Sequence, residues 1–60
     1  MDSITTLIVE DEPMLAEILV DNIKQFPQFD VIGIADKLES ARKQLRLYQP
    51  QLILLDNFLP

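Results

Sequence analysis

Residues 7–13 read LIVEDEP: three apolar residues, three consecutive carboxylates and a proline. An apolar run that stops on a knot of like charge is the feature that decides the fold. Thr5–Val9 (TTLIV) is β-branched and apolar, the composition of a buried strand. Behind the acids the period changes. Leu15, Ile18, Leu19, Ile23 and Phe26 recur at helical spacing from Met14 onward, and Pro13 suits a first helical position. Acids before that helix favour the positive end of its dipole, and Pro27 is expected to close it.

Phe29–Ala35 (FDVIGIA) predicts a second strand. Its Gly33 marks either a close approach to the backbone or a tolerated weak point. Leu38, Ala41, Leu45 and Tyr48 predict a second amphipathic helix, with Arg42, Lys43 and Arg46 on or near its outer side and Pro50 after its end. Leu52–Leu55 (LILL) predicts a third strand, apolar on both faces. The order β-α-β-α-β with short connections implies an α/β fold with a parallel sheet, helices on its faces and right-handed crossovers. Three such strands leave edges and faces that call for further cover, so the sequence reads as the first half of a larger α/β domain.

Composition narrows the chemistry. The chain has 60 residues, 48% hydrophobic and 25% charged, which is globular rather than disordered composition. A chain of this length buries only about 60% of its unfolded surface, so alone it would be marginally stable. With neither Cys nor His, it has no disulfide and no zinc-type site; its oxygen ligands suit Mg²⁺ or Ca²⁺. The net charge of −5, from five Lys and Arg against ten Asp and Glu, argues against this segment gripping a nucleic-acid backbone. MDSITT lacks the features of a secretory signal, no run is long enough for a membrane span, and the absence of Cys fits the cytoplasm.

Ligands of open α/β sheets bind beyond the carboxyl ends of the strands. Glu10 and Asp11 leave the first strand there, and Asp56 leaves the third. If those strands are neighbours, three carboxylates converge. Their repulsion is relieved by a divalent cation, and Mg²⁺ takes one or two carboxylates with waters and a phosphate. The plainer reading is that acids between a strand and a helix are caps or dipole partners, and Glu12 fits that role best. Asp56 is harder to explain so, because NFLP after it does not resemble a helix start.

LIVEDEP followed by LILLDNFLP resembles the receiver domain of two-component response regulators, with a flavodoxin-like (CheY-like) fold of which this would be the β1-α1-β2-α2-β3 half. The resemblance spans all 60 residues. It implies that Glu10 and Asp11 are the acidic pair that holds Mg²⁺ and that Asp56 is the phosphoacceptor and a third ligand. Phe58 would lend its backbone carbonyl to the metal. Leu59-Pro60 stands where that family commonly has Met-Pro. FPQFDVIGIADKLESARKQL further resembles the CitB/DcuR-like citrate and C4-dicarboxylate regulators, transcription regulators paired with a membrane sensor kinase.

The implied partners are a sensor histidine kinase and, only through a C-terminal effector domain absent here, DNA. The implied lack of strands four and five would remove the hydroxyl and the Lys that contact the phosphoryl group. The chain is then expected to need that other half, or a second chain along strand three. It is expected not to be an enzyme. Among rivals, a dehalogenase-type phosphatase needs an acid where Phe58 stands. An FMN module needs a Gly- and hydroxyl-rich first loop, and an NTPase needs a GxxxxGK[ST] loop. The remaining alternative is an α/β interaction fragment that is not phosphorylated.

Overall fold

A computed structural model describes residues 3–55. The elements are β1 (Ile4–Val9), α1 (Pro13–Ile23), β2 (Phe29–Ala35), α2 (Leu38–Tyr48) and β3 (Leu52–Leu55). The strands form one parallel sheet in the order β2-β1-β3. The expected β-α-β-α-β alternation is present, and β1 begins one residue earlier than the sequence pattern suggests.

Strand order explains where the helices lie. The chain steps from β1 to β2 in one direction and from β2 to β3 in the other, so two crossovers of one hand must place their helices on opposite faces. Leu7, Val9 and Ala35 form a buried cluster with Ala41 of α2, and Leu45 packs against it. Ile34, of opposite parity, lines a groove with Ala16 and Val20 of α1. No contact joins the two helices. β1, central in the sheet, is the most buried element; Thr6, Leu7 and Ile8 are wholly inaccessible.

Gly33 proves to be a place of close approach. The β1–β2 register skips a residue there, with Thr6 opposite Val31 and Leu7 opposite Gly33, so β2 carries a bulge at Ile32. Gln44 Nε2 reaches back from α2 and donates to the Ile34 carbonyl at 3.0 Å. A Cβ at Gly33 would collide with the Gln44 carboxamide oxygen.

Two details of α1 depart from the sequence reading. The helix ends at Ile23, three residues before Phe26, because the chain tightens. Gln25 and Phe26 donate to the carbonyls three residues back, Asn22 and Ile23, and Phe26 then stacks edge-on against Phe29 at 6.5 Å. The buried stripe is also rotated. Ala16 is buried and Leu19, Val20 and Ile23 are half-buried, whereas Leu15, Ile18 and Phe26 are exposed. α1 has apolar residues around most of its circumference, so periodicity alone does not single out the packed face. In α2, Ala41 and Leu45 pack as expected, but Leu38 and Tyr48 at its ends are exposed. α2 stops in a left-handed Gln49 (φ 47°) whose N–H donates to Leu45 O.

Three substitutions test this packing by denaturant unfolding. Leu7→Ala lowers stability by about 2–5 kcal/mol through cavity formation. Leu47→Ala, on the exposed side of α2, changes it by less than about 0.5 kcal/mol. Gln49→Gly raises it by up to about 1 kcal/mol, by relieving a left-handed backbone.

Candidate functional site

The step from β1–β2 to β1–β3 is the point where strand order reverses, and in open α/β sheets the ligand crevice lies there, beyond the carboxyl ends. β1 and β3 run side by side with Val9 opposite Leu55. They therefore end at one level and point the same way. Glu10 follows Val9, and Asp56 follows Leu55 in the sequence. Asp56 and Phe58 lie outside the described residues.

Glu10 extends the strand by one position: its N–H donates to Ala35 O at 2.9 Å, and the residue is only 3% exposed. Its Oε2 accepts from the Glu12 N–H at 3.3 Å, which folds the carboxylate over the turn into α1. Asp11 is exposed. The capping interpretation is thus met in part. Glu12 occupies the N-cap position, yet its side chain makes no capping bond, and Pro13 begins the helix as expected. The acid that serves the loop backbone is Glu10.

The acidic knot therefore separates into three roles. Glu10 is held inside the sheet end, Asp11 stands in the open and Glu12 starts the helix. Among the described residues no three acidic side chains gather into a metal-binding cluster. The described pair consists of carboxylates, the hard oxygen donors that suit Mg²⁺. Thr5 and Gln51, at the other end of the same strand pair, were not singled out by the sequence pattern; no residue spacing signals them.

Known proteins resemble the chain in sequence and in fold. No protein-family model matches the chain. It is 47% identical over 57 residues to the transcriptional regulatory protein DpiA of Escherichia coli K12, covering 95% of this chain and 25% of DpiA. It is 40% identical over 57 residues to the transcriptional regulatory protein MalR of Bacillus subtilis, covering 95% of this chain and 24% of MalR. The structure superimposes on the signal receiver domain of NarL from Mycobacterium tuberculosis with a TM-score of 0.92 at 23% identity, covering 100% of this chain and 48% of that one. The chain is a receiver-domain segment of the response-regulator type. Its fold is the β-α-β-α-β half of a CheY-like receiver. The same segment is also 37% identical, over 57 residues, to a protein-glutamate methylesterase/protein-glutamine glutaminase of Methanosarcina mazei, so receivers of this type occur beside enzymes as well as regulators. The chain spans a quarter or less of the length of these sequence relatives.

Because Glu10 belongs to the sheet and Asp11 does not, their local behaviour should differ. The Glu10 amide exchanges slowly with solvent deuterium, at the rate of the neighbouring β1 amides. Asp11→Asn changes unfolding stability by less than about 0.5 kcal/mol.

Proposed function

We propose that the receiver accepts a phosphoryl group on Asp56. The observation that carries this reading is the parallel, level ending of β1 and β3, with a buried and then an exposed carboxylate following one strand and Asp56 next in sequence after the other. Glu10 and Asp11, with Asp56 and the Phe58 carbonyl, would hold Mg²⁺. When bound, the cation offsets the negative charge gathered between these carboxylates and the incoming phosphate.

The donor is the phosphohistidine of a sensor histidine kinase. A carboxylate oxygen of Asp56 forms the new bond to phosphorus, the bond from phosphorus to the imidazole nitrogen breaks, and that nitrogen takes a proton from solvent. Burial of Glu10 keeps one acid in place by the strand ladder, while the exposed Asp11 leaves the crevice open to the kinase. The resulting acyl phosphate biases a two-state surface, which converts a local charge change into a distant readout.

The output we favour is transcription control in citrate or C4-dicarboxylate metabolism, through a DNA-binding effector outside these residues and in the cytoplasm. Identity to DpiA, at 47%, exceeds that to the methylesterase of M. mazei, at 37%. On this reading the segment signals and is not itself an enzyme. No described helix is long and apolar enough to cross a membrane.

Intact-mass measurement with acetyl phosphate tests the proposal. The full-length protein gains one phosphoryl group with Mg²⁺, none with EDTA, and none in Asp56→Asn. A gain that survives Asp56→Asn would overturn the acceptor assignment. Mg²⁺ at about 100 times its dissociation constant also raises stability by about 2.7 kcal/mol. Asp11→Asn abolishes most of that rise.

A further inference from the structure

β3 reads LILL, so a shift of one or two positions against β1 puts apolar side chains in equivalent places on both faces. Alternating polarity normally specifies register, and here it does not. Nor does a tight turn, because parallel strands are joined by a helical crossover. Yet the pairing is single, from Thr6 opposite Leu52 to Val9 opposite Leu55.

The specific contacts lie one step before that ladder. Gln51 N–H donates to Thr5 O at 2.9 Å and to Thr5 Oγ1 at 3.0 Å. Thr5 N–H donates to Gln51 Oε1 at 3.1 Å. The two residues thus bond in both directions, each supplying one side-chain oxygen to the other's backbone. Thr6 Oγ1 turns back to Ile4 O within its own strand, so among the described residues this is the side-chain link between β1 and β3. A one-residue slip would put Leu52 or Pro50 where the Gln51 carboxamide sits. Neither can accept from Thr5 N–H, and Pro50 has no N–H to give.

We infer that Thr5 and Gln51 are positioning residues that lock the β1–β3 register and so decide which residue of β3 stands opposite Val9. That residue is Leu55; the importance of Asp56, next in sequence, as acceptor rests on the function proposed above. The lock acts at a distance, since Thr5 lies four strand residues, about 13 Å, from Val9.

Cross-strand nuclear Overhauser contacts in the labelled full-length protein, followed through a Mg²⁺ titration, test the inference. Thr5→Ser keeps its oxygen and leaves both register and affinity unchanged. Thr5→Val combined with Gln51→Ala gives a second set of contacts displaced along β3 and weakens Mg²⁺ binding about tenfold. Retention of the Thr6–Leu52 and Val9–Leu55 contacts alone in the double variant would overturn the lock, whatever its affinity. Displaced contacts with unchanged affinity would uphold the lock and refute the metal site instead. Should the double variant not fold, Gln51→Ala is compared with wild type by amide exchange. About tenfold faster exchange at Leu52–Leu55 with β2 unchanged supports the lock; equal acceleration throughout refutes it.

Discussion

β1 is hydrogen-bonded on both edges and covered on at least one face along most of its length, and the rest of the molecule is arranged around that strand. A segment so placed must be β-branched or apolar, with any buried hydroxyl bonded as Thr6 Oγ1 is to Ile4 O, and must finish before its polar continuation begins. Glu10 is where those demands meet. Its backbone still belongs to the ladder through Ala35, while its side chain is a carboxylate turned onto the loop. A buried carboxylate is costly unless hydrogen-bonded or paired, and here the Glu12 N–H bonds it.

The reversal of strand order has two consequences at once. It sends α1 and α2 to opposite faces, and it makes the ends of β1 and β3 the place where ligands of open α/β sheets generally bind. The bulge at Ile32, the bare backbone at Gly33 and the Gln44 carboxamide belong to the other side of β1, where they fit α2 closely over β2. Ala35 shows the economy of this arrangement: its carbonyl receives the Glu10 N–H while its methyl packs beside Ala41.

Much of this was legible in the residues. Strand three and helix two have the expected bounds, because LILL is a short apolar run between polar residues and the Leu38-Ala41-Leu45 spacing fits a helical period. Pro13 marked the start of α1 correctly. Its packed face was misread because apolar side chains surround it, and only the sheet chooses among them. Its end was misread because Pro27 bounds a helix without requiring it to run that far. Gly33 signalled a close approach but not its partner, since Gln44 is eleven residues away on another element. The Thr5–Gln51 link was invisible for the same reason: two polar residues 46 apart carry no pattern. Glu10 and Asp11 stand at the strand end that the sequence assigned to them, while Asp56 and Phe58 lie beyond the described residues.

The proposed cation site lies at the shared end of β1 and β3. Paramagnetic broadening by Mn²⁺, a substitute for Mg²⁺, locates such a site directly in an amide spectrum of the full-length protein. The amides of Glu10, Asp11 and Leu55 are expected to broaden first, while Thr5 and Gln51 at the far end stay sharp. Broadening centred on Glu17 and Asp21 of α1, or spread evenly over the acidic surface, would contradict that placement.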